Sequence, residues 1–312
     1  MIKSRKSFLR FYLVIFFTTA FYLALGLFLV NIYFDEGITG IKGILLWIFI
    51  ALLFFLGFYS PWVYLKSTYT ISFDDKRLIF KSAFDFFELY WSEIDELQIT
   101  GKVLFRYILP FPMEGTIIKT KDKDICLYDM FLAEPHMIKY ALYTFYKTKK
   151  IPDDYDEIPV KNNETRFEKF ILFKGNAFFS FRGILTWGFF LFMLSLPLMN
   201  RPSSNKSLVI IIVIGTLWLI LNSIFMNYFG LSDKYLVIRN HINPFKYKVY
   251  RLEDIKEVVY ETMDKWPNCL RVITTRYHSK LFGAGTLRDK TWLEMKEYFE
   301  SKQIKVRNEC IY

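Results

Sequence analysis

The sequence predicts a membrane α plus α+β protein: four transmembrane helices arranged as two hairpins, each hairpin followed by a small β-rich domain that ends in a helix. Three observations lead there. Hydrophobic residues make up 53% of the 312 residues and aromatic residues 20%, with 34 Phe, and they are concentrated in four blocks rather than spread as in a soluble chain. One segment occurs twice. Asp75-Lys76-Arg77-Leu78-Ile79-Phe80-Lys81 lines up with Asp233-Lys234-Tyr235-Leu236-Val237-Ile238-Arg239 at an offset of 158, and Ile94 with Ile255 at an offset of 161. Each copy follows a pair of apolar blocks, so the chain reads as two copies of one membrane-plus-domain unit, with three extra residues between the anchors of the second.

The elements follow in order. Residues 1–65 form the first transmembrane hairpin. Phe11 to Ile32 carries no charge and is long enough to cross a ~30 Å hydrocarbon core. It is too long and too bulky at its end for a cleaved signal peptide, so it is expected to be retained. A turn over Asp35, Glu36, Gly37, Gly40 and Lys42 leads to a second crossing, Ile44 to Leu65, interrupted late by Pro61. Residues 66–150 read as the first β-rich domain. Thr68 to Phe73, Arg77 to Phe84, Phe86 to Trp91, Gly115 to Lys119 and Ile125 to Met130 are strand-like, rich in β-branched and aromatic residues. Glu134-Pro135 then opens a helix with Ile138, Leu142 and Phe145 on one face.

Residues 151–177, acidic at Asp153, Asp154, Asp156 and Glu157, read as a linker. Residues 178–231 form the second hairpin: Gly183 to Met199, a turn at Asn200 to Lys206, and Ser207 to Leu231. Phe178 to Phe181 is expected to lie at the interface, and Pro197 to kink the third helix. Residues 232–312 repeat the β-rich domain, with strands at Tyr235 to Arg239, Phe245 to Tyr250, Leu252 to Tyr260 and Cys269 to Tyr277. Asn243-Pro244 makes the turn between the first two. Thr286 is expected to cap a last helix through Lys302 with Trp292, Met295 and Phe299 on one face.

Charge sets the expected topology. The net charge is +10, and residues 1–10 hold four bases (Lys3, Arg5, Lys6, Arg10) and no acid. Residues 66–150 hold 13 bases against 12 acids and residues 230–312 hold 16 against 11, so the second domain is distinctly basic. With bases favouring the cytoplasmic side, both termini and both domains are expected there, although Arg201 and Lys206 in the second hairpin turn pull the other way. Cys126, Cys269 and Cys310 have no C-x-x-C spacing and fit a reducing compartment.

Trp91-Ser92-Glu93-Ile94-Asp95-Glu96-Leu97, placed after a two-helix hairpin and early strands, resembles the bacterial pleckstrin-homology-like membrane proteins. In that family a W-S-D/E-I-x-x-I-like stretch joins the early strands to the next one. The second copy, Arg251-Leu252-Glu253-Asp254-Ile255, lacks the Trp. The resemblance covers most of the chain as a tandem duplication. It implies a seven-strand split barrel closed by a helix in each domain, a bacterial cell membrane and no enzymatic activity. Some members of this broad family are immunity proteins against leaderless, membrane-permeabilising bacteriocins.

The residues themselves carry no catalytic pattern. His136, His241 and His278 lack metal-ligand spacing, and neither a nucleophile elbow nor a Walker glycine loop occurs, so no cofactor or metal is expected. Gly283-Ala284-Gly285-Thr286 could cradle an anion at a helix start, but reads first as a tight turn and cap. Glu93, Asp95 and Glu96 read as a solvated strand edge. The four crossings hold no ionisable residue, which argues against a pump or channel. Two surfaces stand out as candidate lipid or partner contacts. One is basic: Arg239, Lys246, Lys248, Arg251, Arg271 and Arg276, a face that could meet anionic headgroups. The other is aromatic, Phe84, Phe86, Phe87, Tyr90 and Trp91: core by one reading, but adjacent Phe86 and Phe87 must point to opposite sides of a strand, so one is exposed unless the second domain, the bilayer or another protein covers it, and pseudo-twofold packing of the two domains is the expected use. The expected partners are membrane lipids and either a cationic peptide bacteriocin or another membrane protein; no basic helix or RNA-binding motif points to nucleic acid.

Overall fold

A computed structural model of the chain describes residues 2–105, 110–152, 154–155, 160, 162–199, 205–262 and 267–311. The chain divides into two compact units, Met1–Tyr155 and Asp156–Tyr312.

In the first unit a short strand, β1 (Ile2–Lys3), precedes the helix pair α1 (Leu13–Asp35) and α2 (Gly40–Ser67). A wide π-helical turn, Phe8–Tyr12, leads into α1, and the Ser7 hydroxyl accepts the Arg10 N–H at its start. At 1.5 Å per residue the two helices reach ~35 and ~42 Å. Both are long and apolar enough to cross a membrane, and only 6% and 22% of their most apolar windows are buried. That excludes the core helices of a soluble domain: Phe16, Phe21, Phe28, Ile44, Phe55 and Phe58 are all exposed. Gly57 permits the close approach of α1, since a Cβ there would lie 2.9 Å from Leu23 Cδ2. Pro61 lies within an unbroken α2 and does not end it.

Only Thr68 and Tyr69 separate α2 from β2 (Thr70–Phe73), which pairs antiparallel with β1 on one side and β3 (Arg77–Lys81) on the other. The edge strand β4 (Phe86–Tyr90) completes this sheet, in the order β1-β2-β3-β4. Ile71, Phe73, Leu78, Phe80 and Leu89 alternate inward and are buried. In the second sheet β5 (Glu96–Gln98) and β6 (Lys102–Phe105) both pair antiparallel with β7 (Phe111–Lys119), and the register slips by one residue across Ile99–Gly101. β8 (Asp124–Tyr128) also pairs with β7. Pro135 then starts α3 (Pro135–Thr148), which buries Ile138, Ala141, Leu142 and Phe145 and ends on Lys149 in the left-handed conformation, φ 56°.

The helix pair is built into this unit rather than tethered to it. Phe11, Val63 and Tyr64 at the roots of the helices share a core with Val103, Phe105, Met113, Tyr128 and Phe131. Ring centroids of Phe105 lie 5.2 Å from Tyr64 and 5.3 Å from Phe131, and Phe11 lies 5.6 Å from Phe131.

The second unit runs through the same order. β9 (Ile171–Phe173) precedes α4 (Phe181–Met199) and α5 (Asn205–Ser223), followed by β10 (Asn227–Leu231), β11 (Tyr235–Asn240) and β12 (Lys248–Arg251). Their antiparallel sheet has the order β12-β11-β10-β9. A second sheet joins β13 (Ile255–Glu261), β14 (Cys269–Thr274) and β15 (Ser279–Gly283); α6 (Asp289–Ser301) follows, and β16 (Lys305–Asn308) returns parallel to β13. Trp292, Met295 and Phe299 of α6 are fully buried against both sheets, as their spacing predicts.

Several expected boundaries move. The strands β1 and β9 precede the helix pairs, and β9 lies within the expected linker. Asn227–Leu231, expected at the end of the fourth crossing, is a strand. α4 and α5 have 19 residues each, and their described apolar stretches, Phe181–Leu196 and Val209–Ser223, are shorter than those of the first pair. α6 starts at Asp289; Thr286 is buried in the turn before it. The expected turn at 200–206 and the acidic positions Asp153, Asp156 and Glu157 lie outside the described residues, apart from Asn205 and Lys206, which begin α5; the Pro197 ring is likewise not described.

Candidate functional site

The sheet that follows each helix pair has two distinct ends. In the second unit α5 stops at Ser223, and Asn227 at the start of β10 pairs with Asn240 at the end of β11. The turn after Asn240 is therefore at the helix end, and the Asp233-Lys234 turn at the far end. In the first unit Thr70 pairs with Lys81, so the turn over Ser82–Asp85 is at the helix end and Asp74–Lys76 at the far end. Both repeated Asp-Lys pairs occupy far-end turns.

An asparagine cluster, missed from sequence, joins α5 to the sheets. Asn240 Nδ2 donates to the Ser223 carbonyl (2.6 Å) and to Asn227 Oδ1 (2.9 Å). Asn227 Nδ2 donates to the carbonyls of Ile224 (2.9 Å) and Gly283 (2.7 Å). The Ser223 carbonyl that ends the helix is satisfied this way and by the Met226 N–H at 3.2 Å. Gly285 N–H donates to Phe225 O, and Ala284 bridges Met226. A Cβ on Gly175 would lie 1.9 Å from the Thr286 carbonyl oxygen. The glycine turn before α6 is thus a packed junction, not an open anion cradle.

The six bases separate by environment. Arg251 pairs with Glu164 at 3.0 Å, and this hydrogen bond raises its pKa. Arg271 Nε donates to the buried Glu261 carboxylate at 2.8 Å and its Nη1 to Ser279 Oγ at 3.0 Å. Arg276 lies in the tight turn between β14 and β15, at the far end. Arg239, Lys246 and Lys248 lie on or beside the turn at the helix end. The Arg239 guanidinium is 5.6 Å from the Tyr247 ring centroid and Lys248 Nζ 5.3 Å from that of Tyr250. Burial, and then Lys280, lower the Lys246 pKa.

Arg239 and Tyr247 line an open groove of about 470 Å³ with Thr165, Arg166, Glu168, Phe170 and Pro244. Sequence alone read that segment as linker. Thr165 and Tyr247 share a hydroxyl hydrogen bond at 2.9 Å, and Glu164 reaches Arg251, so residues 162–170 lie over the outer face of the sheet. The His241 ring lies 4.7 Å from that of Tyr228, tilted by 39°, and its pKa is lowered to about 4 by burial and then by Lys174.

The aromatic candidates also separate. Phe86 is 60% exposed and Phe84 61%, and Tyr90 is exposed on the same face of β4 as Phe86. Phe87 turns inward, stacked 5.0 Å from Phe80, with Lys123 Nζ 3.4 Å above its ring. Trp91 holds α3: its ring lies 4.6 Å from Phe145 and its indole N–H donates to Asp74 O at 2.9 Å. Glu93 accepts the Tyr90 N–H (2.7 Å) and Glu96 pairs with Lys119 (2.7 Å), so neither belongs to a carboxylate pair. Among the described residues no three His, Cys, Asp or Glu come together as metal ligands.

No protein-family model matches the chain, and no curated protein matches its sequence.

Proposed function

We propose that the chain is a bacterial multi-pass membrane protein that acts by binding at the membrane surface rather than by catalysis, and that it protects the membrane against a membrane-active cationic peptide. The carrying observation is the first helix pair, apolar on all sides and exposed along its length, continuing into a sheet with two residues between. That geometry holds a β-rich module against the bilayer with little freedom to leave it. The second pair, shorter in its described residues, completes four crossings in this reading, with both termini and both modules cytoplasmic.

A four-strand antiparallel sheet, a second four-strand sheet and a helix packed on them recur in both units, which supports the reading of each as a pleckstrin-homology-like module and of the chain as a duplication. Immunity comes from that resemblance. Expression in a sensitive Gram-positive host, followed by challenge with a panel of cationic membrane-active peptides, tests it. A large, peptide-selective rise in inhibitory concentration is expected. Unchanged values at verified membrane expression would overturn immunity in favour of a scaffold that docks a partner protein, a second reading supported by the exposed Phe86 and Tyr90 on edge strand β4.

A further inference from the structure

We infer that the turn at the helix end of each first sheet is an interfacial anchor that places phenyl rings in the lipid surface: Phe84 and Phe86 in the first unit, Phe245 in the second. The inference rests on the helix pairs being membrane-spanning, and adds a contact that the helices do not make.

Position is the first argument. The Ala83 N–H donates to the Leu65 carbonyl at 3.3 Å, in the last turns of α2. In the second unit Asn240 Nδ2 donates to the Ser223 carbonyl that ends α5, and the His241 N–H to Met226 O at 2.9 Å. Each turn is therefore fixed at the depth where its apolar helix ends, the level at which a bilayer gives way to headgroups and water. Aromatic side chains concentrate at that level.

Exposure is the second. Phe245 is 94% exposed, and Phe84 and Phe86 about as exposed as the lipid-facing residues of α1. The far-end turns of the same sheets are Asp74-Asp75-Lys76 and Ser232-Asp233-Lys234, built for water. Turns that carry an exposed phenyl ring at one end, and turns of serine, aspartate and lysine without one at the other, recur in both units, although the second helix-end turn is longer by the three residues inserted between the repeat anchors.

The backbone supplies the third. An unpaired N–H is costly near hydrocarbon, and here side chains satisfy the turns locally. Ser82 Oγ accepts from Phe84 N (3.2 Å) and Asp85 N (3.0 Å). Asn240 Oδ1 accepts from Ile242 N (3.0 Å) and Asn243 N (2.9 Å), and Asn243 Oδ1 from Phe245 N (3.0 Å). Lys81 and Lys246 flank the rings, where an ammonium meets phosphate. A lipid surface fits this combination of self-satisfied backbone, projecting ring and adjacent base.

The test uses the full chain in phosphatidylcholine–phosphatidylglycerol liposomes, with its native cysteines replaced and single nitroxide labels at Phe84→Cys, Phe86→Cys or Phe245→Cys. Labels at Asp75→Cys, Lys234→Cys and, within α1, Phe21→Cys are the references. Collision with oxygen relative to a water-soluble nickel chelate is expected to be several-fold higher at the three turn positions than at Asp75 and Lys234. A ratio matching Asp75 and Lys234, with Phe21 high, would overturn the inference and leave the helices in the membrane. Weak collision with both reagents would overturn it in favour of a protein cover. A low ratio at Phe21 would overturn the membrane reading and the inference together.

Discussion

At the residue scale, polar side chains at the root of the second helix pair tie the helix to the sheets. Asn227 and Asn240 are buried and carry the hydrogen bonds that close α5 onto two sheets. His241, next along the chain, is held neutral by burial and by Lys174, with a folded pKa of about 4, and its Nε2 has no hydrogen-bond partner among the described residues. The sign of its effect follows from linkage. An unfolded histidine takes its proton near pH 6.5, before the folded one does, so stability falls as pH drops from about 6.5 towards 4 and levels off below. Thermal unfolding in detergent at pH 7.5 and pH 5 is expected to show a smaller acid-induced drop in Tm for His241→Gln than for the parent. Equal drops would remove His241 from the explanation. None of this was legible in the sequence, because the three side chains become neighbours only when β10 and β11 pair beside the helix end.

At the element scale, the aromatic core shared by α1, α2 and the second sheet of the first unit is the joint between helix pair and module. Phe105 is fully buried at its centre, touching Tyr64, Tyr128 and Phe131. Phe105→Ala leaves a ring-sized cavity, and such losses cost ~3–5 kcal/mol. The expected outcome is a marked loss of Tm, whereas Phe86→Ala, at an exposed position, leaves Tm within a degree or two of the parent; thermal unfolding of the two variants side by side checks this. Runs of β-branched and aromatic residues identified β2, β3 and β4, and the three-to-four spacing of Trp292, Met295 and Phe299 identified the buried face of α6. β1 and β9 escaped because strands of two and three residues carry no period, and their partners lie beyond a whole helix pair. Thr286 carried the composition of a helix cap, but packing against Gly175 uses it in the preceding turn. Trp91 looked like part of a contact patch; its indole instead bridges Asp74 and Phe145, a pairing across the fold that local pattern cannot specify.

At the scale of the whole molecule, both units show a strand, a helix pair, two sheets and a later helix, and the first helix pair is long and apolar enough to cross a membrane. The apolar blocks made the first helix pair legible from the sequence, and the β-branched and aromatic runs much of the sheets; the candidate site was less legible, since half of the basic candidates are tied to carboxylates or placed at the far end of the second unit. In the proposed arrangement α1 and α2 cross the membrane and keep the first module on one side of it. Cysteine labelling of intact cells with a membrane-impermeant maleimide tests it most directly, using native-cysteine-free chains with Glu36→Cys in the hairpin turn or Asp75→Cys in the module. Glu36→Cys is expected to be labelled in intact cells and Asp75→Cys only after the membrane is opened. Labelling of both positions in intact cells, or of neither, would contradict it.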